Sequence, residues 1–531
     1  MNASPHPLLI GAGSTLTFAT DQAPGLLHGG ERWATELPPA LVAEIEPWVS
    51  EAISALTARV AAPCFLLSGE PVPLGGLCDA LRNRLADLLT PAFAEPMNGS
   101  ADSSLEDQGP LRTSSALHSI LCRTTSDWVT ATTLFLNRLQ SDADTLADFL
   151  GCDALPPIAS VSAASSDPHP GGFGVLHLTF HGSAAVFYKS RPVTGEWLWY
   201  ELLRMLAALD STLPAPRARV LTTDAELSYG WIEAIPAANS ESAHSISEQE
   251  NYWRSAGGLL CLAQHTCLTD LHFGNLVGTS AGPAIVDAEC LATPVTADAP
   301  DEAFAAALAA LRATGLLPTD PLDVSGLFAK GGSPVPVCIP RWAVSAAGTF
   351  RLARLPAVLT TRTDAPMVSS PVAVLSYLSE GYRHAADLLI HARSALMDPT
   401  ATWHQTLQRV HAPRLVLRNT LDYALIVSKS LHSAPWSTPI LHRREIFQAL
   451  PPSDARRAEA QALAAATIPH FHVLPKSRTL VDPAARPVAR AFTRETPGSA
   501  VSRALDTLTP PHLRETLLPA LCLAILQSRA L

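Results

Sequence analysis

Charge is scarce in this chain. Only 16% of its 531 residues are Asp, Glu, Lys or Arg, and no dense run of lysine and arginine occurs. With 37 basic against 48 acidic residues the formal net charge is −11, which disfavours tight nucleic-acid binding through phosphate neutralisation. Long apolar runs are missing as well. Stretches such as Ala303 to Leu311 and Leu517 to Leu526 reach about ten residues where a bilayer span needs roughly 20, so no membrane span is expected. The nine cysteines are odd in number and contain no C-x-x-C pair, which excludes a disulfide framework and a structural zinc site and leaves reduced core residues. The N-terminus, Met1-Asn2-Ala3-Ser4-Pro5-His6-Pro7, lacks the positive region and apolar core of a secretory signal, and the protein is read as cytoplasmic. No internal repeat is apparent.

What the chain does have is apolar material. Hydrophobic residues make up 47% of it, which excludes a disordered chain. Its length corresponds to roughly three packed units at about 150 residues each. From Pro39 to about Ala94, Leu41, Ile45, Trp48, Val49 and Ile53 recur at helical steps, as do Leu81, Leu85 and Leu88. Met97 to Ser104 reads as a polar loop, and helical periodicity resumes from Ser115 to Phe149. An N-terminal helical region, residues 1–155, follows from this.

The texture changes at Pro156. Val175 to Phe180 and Ala184 to Lys189, joined by His181-Gly182-Ser183, read as a hairpin. A helix from Glu196 to Leu209 and strands at Arg219 to Thr222 and Ser228 to Ile232 complete a small β-rich lobe, residues 156–240. The remainder, residues 241–531, reads as mainly helical: Glu248 to Gln264, Val372 to Leu396, Leu415 to Leu431 and Leu513 to Leu526, with an irregular Gly-, Pro- and Thr-rich stretch from about Pro318 to Pro371. The class is α+β.

The densest polar cluster is Thr269-Asp270-Leu271-His272-Phe273-Gly274-Asn275, followed by Ala284-Ile285-Val286-Asp287-Ala288-Glu289. An Asp, an Asn five positions on and a further Asp after a buried strand are what phosphoryl transfer from a nucleotide requires: one carboxylate orients the accepting hydroxyl, while the amide and the second carboxylate hold magnesium. A loop Asp, a capping Asn and an unrelated surface acid would give the same spacing. Upstream, Lys189 ends an apolar strand before a helix, where kinase-like folds present a lysine to nucleotide phosphates. Asp167-Pro168-His169-Pro170-Gly171-Gly172 precedes the hairpin, and its glycines permit close backbone approach to phosphates.

Taken together, Ser166-Asp167-x-His169-x-Gly171-Gly172, Tyr188-Lys189-x-Arg191, Tyr229-Gly230-Trp231-x-Glu233, Asp270-x-His272-x-x-Asn275, Asp287-x-Glu289, Arg414-Leu415-Val416-Leu417-Arg418-Asn419-Thr420-x-x-Tyr423 and Ile468-Pro469-x-Phe471 resemble the dehydratase domain of class II (LanM-type) lanthipeptide synthetases over roughly residues 155–480. The resemblance implies a lipid-kinase-like bilobal fold, with residues 156–240 as N-lobe and 241–531 as C-lobe carrying the phosphate-elimination elements. It implies an enzyme that uses ATP or GTP and Mg2+ to phosphorylate Ser and Thr of a ribosomal precursor peptide and then eliminates phosphate to leave dehydroalanine or dehydrobutyrine. Lys189, Asp270, His272, Asn275 and Asp287 match the family's phosphorylation residues, Asn275 and Asp287 as metal ligands. Asp167 and His169 match its Asp/His loop, with Lys189, Gly171 and Gly172 toward the nucleotide, and Arg414 and Thr420 match the pair associated with elimination. The acceptor of the α-proton is not assigned.

The sequence departs from the family in Lys-Ser-Arg at residues 189–191 and in Thr467 before Ile468-Pro469. No cyclase zinc site follows Thr420, where Cys522 is the one remaining cysteine, so a stand-alone dehydratase is expected, with ring formation left to a separate cyclase or other tailoring enzyme. The N-terminal helices and β-rich lobe are expected to help bind the leader segment of the peptide. A small-molecule or peptide phosphotransferase resembling aminoglycoside and choline kinases, and an inactive peptide-binding scaffold, are the alternatives; Arg414 to Thr420 is the discriminating segment.

Overall fold

The computed structural model describes residues 32–527 apart from positions 35, 68, 99–114, 165–167, 173, 183, 214–217, 225, 238–244, 297–299, 319–323, 329–334 and 360–370. Strand β1 (Arg32–Trp33), helix α1 (Pro39–Arg59), the short hairpin β2 (Leu66–Leu67) and β3 (Glu70–Pro71), and helices α2 (Gly75–Asn98) and α3 (Ala116–Leu150) come first. The apolar stripe of α1, Leu41, Ile45, Val49, Ala52 and Leu56, is buried as its spacing requires. Helix α3 starts at Ser115, whose side chain accepts from His118 N, and stops at Gly151, in the left-handed region with φ 72°. The loop expected from Met97 onward lies largely outside the described residues.

Strands β4 (Ile158–Ala163), β5 (Val175–Phe180) and β6 (Ala185–Lys189), helix α4 (Thr194–Leu209), and strands β7 (Val220–Leu221) and β8 (Gly230–Glu233) form the next block. The strands make one antiparallel sheet in the order β4-β5-β6-β8-β7. In the expected hairpin Val175 pairs with Lys189 and Thr179 with Ala185, and Leu176, Leu178, Val186 and Tyr188 are buried. That buried face meets the N-terminal helices: Leu117, Phe135 and Leu139 of α3 share a core with Leu178, Tyr188 and Trp231. A buried carboxylate fixes the contact. Asp142 accepts from Trp231 Nε1 at 2.8 Å, Tyr229 OH at 3.0 Å and Thr223 Oγ1 at 2.9 Å, so its burial cost is offset by three donors.

Helix α5 (Ile246–His265), the hairpin β9 (Leu276–Thr279) and β10 (Gly282–Ile285), helix α6 (Ala303–Ala313), strands β11 (Val335–Val344) and β12 (Phe350–Leu359), helices α7 (Pro371–Leu396) and α8 (Thr402–Arg409), strand β13 (Arg414–Leu415), helices α9 (Thr420–Leu431), α10 (Pro439–Ala449) and α11 (Arg456–Leu463), strands β14 (Phe471–Val473), β15 (Leu480–Val481) and β16 (Pro487–Ala489), and helices α12 (Pro497–Thr507), α13 (Pro510–His512) and α14 (Leu518–Gln527) complete the chain. A second large core unites α4, α5, α7 and the C-terminal helices around Trp199, Trp253, Tyr382 and Leu521.

Two expectations are corrected here. The stretch from Pro318 to Pro371 is not irregular throughout, because β11 and β12 form a long antiparallel hairpin from Val335↔Leu359 to Val344↔Phe350. Its prolines read as breakers in the sequence, yet they fall in pairs of one parity, Pro336↔Val358, Cys338↔Pro356 and Pro340↔Arg354, the arrangement in which a missing N–H removes no ladder bond. The helix expected from Leu415 begins only at Thr420. Arg414 and Leu415 instead pair with His472 and Phe471 in the four-stranded sheet β13-β14-β15-β16, whose strands of two or three residues are too short to leave a periodicity. The cysteines outside β11 are free, and no described helix is long and apolar enough to cross a membrane.

Candidate active site

Lys189, the last residue of β6, is 4% exposed. Its Nζ donates to Glu196 Oε1 at 2.7 Å and to Val286 O at 3.0 Å, and lies 3.6 Å from Asp287 Oδ1. Glu196 stands in the first turn of α4, and that turn can sit against the end of β10 because residue 195 is glycine: a Cβ there would meet Ala288 O at 2.1 Å. Arg191 adds a second cation, reaching Glu196 Oε1 at 2.9 Å, Asp287 Oδ1 at 2.7 Å and, through Nε, Glu289 Oε2 at 2.9 Å. Burial would raise the carboxyls of Asp287 and Glu289, but Arg191, with Lys189 for the first and Arg414 for the second, outweighs it and holds both below the usual carboxylate range.

The loop Asp270 to Asn275 is pinned on both sides. Leu271 N donates to Thr314 O at 2.8 Å and Phe273 N to Val324 O at 3.1 Å, and Gly315, φ +79°, leaves room for Leu271 N where a Cβ would approach it to 2.8 Å. Asp270 is itself at φ +64°, a strained setting for a non-glycine residue that the surrounding bonds maintain. Burial raises its carboxyl above the usual range, and no group donates to that carboxylate among the described residues. Asn275 Nδ2 donates to Asp270 O at 2.8 Å, while Val286 N donates to Asn275 O at 3.0 Å. Asn275 therefore lies beside the strand end that carries Asp287. His272 Nδ1 accepts from Gly274 N at 3.0 Å, which makes it a cap of the turn Phe273–Asn275 rather than a group aimed outward.

Arg414 enters from the C-terminal sheet. Its backbone N donates to Glu289 O at 3.0 Å, and its guanidinium to Glu289 Oε1. Three imidazoles pack in a row beside this pair, His169 against His470 at 4.8 Å between ring centroids and His470 against His472 at 4.6 Å, the rings tilted by 37° and 38°. The loop bearing His169 is tied to the segment leading into β14 by Ile468 N donating to Pro168 O at 2.8 Å. Burial and the charge of Arg414 push His169 down to about 4 and His470 well below its ordinary value, so the row is neutral at physiological pH.

The structure thus brings Lys189, Asp287 and Arg414 into one network through Arg191 and Glu289, sets His169 against it through His470, and seats Asp270, His272 and Asn275 on the adjoining loop. Thr420 heads α9 and is half-buried, and among the described residues no hydrogen bond joins it to Arg414. Asp167 lies outside the described residues. Gly171 and Gly172 have φ of +93° and +109°, and Gly172 presses on α3, where a Cβ would meet Ala131 Cβ at 2.4 Å; packing alone requires a glycine there, while nothing lies within 4 Å of a Cβ at Gly171. Sequence reasoning missed Glu196, Arg191, Glu289, His470 and His472. Arg191 and Glu289 stood inside the quoted motifs without a role, and the alternation His470-Phe471-His472 was a legible signal that both imidazoles share one strand face. Two other residues of the quoted motif serve structure: Arg418 Nε and Tyr423 OH each donate to buried Glu459 at 2.7 Å.

Hard oxygen donors suited to magnesium are present. Asn275 Oδ1 and Asp287 Oδ2 receive no donor among the described residues, whereas the other polar atoms of both side chains are engaged. No group of three or more His, Cys, Asp or Glu able to hold a metal occurs among the described residues, so a divalent cation here would complete its shell with water and phosphate oxygens.

A family model described as "Domain of unknown function (DUF4135)" matches residues 115–473, well over half of the chain, and the chain belongs to that family. It is also similar to the Lacticin 481/lactococcin biosynthesis protein LcnDR2 of Lactococcus lactis subsp. lactis, 27% identical over 125 residues. That match covers 23% of this chain and 13% of the relative. Together they support the resemblance at the level of a lanthipeptide synthetase-like family.

Proposed function

We propose that this protein is a lanthipeptide-type dehydratase: it transfers a phosphoryl group from ATP or GTP to Ser and Thr hydroxyls of a ribosomal precursor peptide, then eliminates phosphate to leave dehydroalanine or dehydrobutyrine. One observation carries the reading. Glu289 bridges Arg414, the elimination arginine, to Arg191 and thence to Asp287 and Lys189, so the groups for both half-reactions converge on one cluster. The relative's printed role in lacticin 481 and lactococcin biosynthesis is consistent with a peptide substrate.

Asp270 orients the accepting hydroxyl, and its raised pKa makes it a competent acceptor for that proton as transfer proceeds. Lys189, fixed by Glu196, offers a positioned ammonium to the nucleotide phosphates. The cluster is otherwise self-neutralised, Lys189, Arg191 and Arg414 facing Glu196, Asp287 and Glu289. A triphosphate therefore brings uncompensated charge. Magnesium, held by Asn275 and Asp287, would supply the balance. Arg414 then holds the departing phosphate bidentately, and Thr420, the first residue of α9 after its Asn419 cap, adds a hydroxyl.

The test is mass spectrometry of candidate precursor peptides incubated with the full chain, nucleotide and magnesium. Loss of one water per modified site is expected from the wild type. Arg414→Ala should accumulate phosphopeptide, with elimination slowed about 100-fold or more while transfer persists. Phosphopeptide that never loses phosphate with the wild type would instead make the protein a peptide kinase, and a peptide left unmodified would remove the reading altogether.

A further inference from the structure

Resting on that reading, we infer that His470 is the base that removes the α-proton in the elimination step. The residue is a buried side chain, 8% exposed, whose Nε2 has no hydrogen-bond partner among the described residues. An unpartnered buried nitrogen is costly, and a base that must be free to accept a proton is a physical reason to leave one so. Its surroundings are charged and specific: Glu289 Oε2 lies 3.7 Å from Nε2, Arg414 and Arg191 act on the ring from close by, and His169 and His472 sandwich it.

The position fits the chemistry. In the free protein Glu289 occupies the guanidinium of Arg414; a phosphoseryl group bound there displaces that carboxylate and brings its own Cα toward the neighbouring imidazole. The proton on Cα passes to His470 Nε2, the C–H electron pair forms the Cα=Cβ bond, and the Cβ–O bond breaks with its pair leaving on phosphate, held by Arg414. Atoms and charge balance without any further reactant. Glu289, released from Arg414, lies 3.7 Å from that same Nε2 and stabilises the imidazolium by its opposite charge. The guanidinium that disfavours protonation of the free enzyme is neutralised by the phosphate at the moment a base is needed. His169 and His472 flank the ring and keep it from rotating. His169 is held by Ile468 O at 3.4 Å and His472 by Ala412 O at 3.3 Å, which leaves His470 as the imidazole of the three with a nitrogen that is buried and unbonded.

The experiment compares the wild type with His470→Gln and His470→Ala on a pool of synthetic Ser- and Thr-containing peptides of varied sequence with ATP and magnesium, following phosphorylated and dehydrated products separately by mass spectrometry. Both variants are expected to transfer phosphate within about threefold of the wild type and to eliminate it at least about 100-fold more slowly. Added imidazole should restore part of the elimination to His470→Ala, which has room for it, and none to His470→Gln. Dehydration at the wild-type rate in either variant, a parallel fall in transfer and elimination, or the absence of imidazole rescue would overturn the inference. Failure of the underlying reading appears elsewhere, in the wild-type sample, as peptide that is never dehydrated, and it would take the inference with it.

Discussion

Glu459 and Glu289 are both buried carboxylates clasped by an arginine, and the networks around them differ in one respect. At Glu459 both oxygens are served, Oε1 by Arg418 Nε and Tyr423 OH at 2.7 Å and Oε2 by Ser453 Oγ at 3.0 Å, and the residue is fully buried between α9 and α11. At Glu289 two arginines bind, Arg414 at Oε1 and Arg191 at Oε2, but the rim of the network is open: among the described residues Glu196 Oε2 and His470 Nε2 are buried without a partner, and Asp270 beside it is held at positive φ with no donor on its carboxylate. A closed network satisfies its own atoms and fastens two helices. An open one retains costs that folding alone does not require, and such costs accumulate where a ligand is to be met.

The largest effect that would sharpen this contrast is expected at Asp270→Asn. Phosphoryl transfer should fall by about 1000-fold or more, since the acceptor of the hydroxyl proton is gone, while Tm stays within about 2 °C because no donor is orphaned. A large loss of Tm with residual turnover would place Asp270 in the structural class with Glu459. Next in size, Glu459→Gln should do the reverse. Breaking one side of a buried, charge-paired network costs about 3–5 kcal/mol, read as a shift of the urea midpoint, and activity per folded molecule should be unchanged; an active-site defect in a fully folded variant would break the comparison.

The smallest effect concerns acid. His265, 3% exposed and bonded through Nδ1 to Cys261 O at 2.8 Å, is pushed by burial down to about 4 from an unfolded value of 6.5. Between those values the unfolded chain holds the proton and the folded one does not, so stability is full above pH 6.5 and is lost as pH falls toward 4. At pH 5 the loss from this one group is on the order of 2 kcal/mol. Replacing it in His265→Gln should flatten the fall of Tm between pH 7 and pH 5, and an unchanged slope would show that the acid sensitivity arises elsewhere, for example at His169 or His411, which burial also pushes down to about 4.

Much of this was legible before folding. The helices α1 to α5 and the β5–β6 hairpin announce themselves because their apolar residues repeat at the period of a buried face, and Asp270, Asn275 and Asp287 are conspicuous because acids and amides flanking apolar runs are rare in a chain so poor in charge. The glycine at position 195 was not legible in this way, because what requires it is Ala288 O across the fold. What the sequence could not determine is which polar residues share a cavity. The segment that follows Arg414 reads as a helix, yet two residues of strand pairing with His472 and Phe471 turn Arg414 onto Glu289, 125 positions away. Glu289, Arg191 and His470 acquire meaning only from one another, because a carboxylate, a guanidinium and an imidazole are each ordinary on a surface and become consequential when burial removes the water between them. Tertiary structure decided that, since burial and juxtaposition belong to no single stretch of chain.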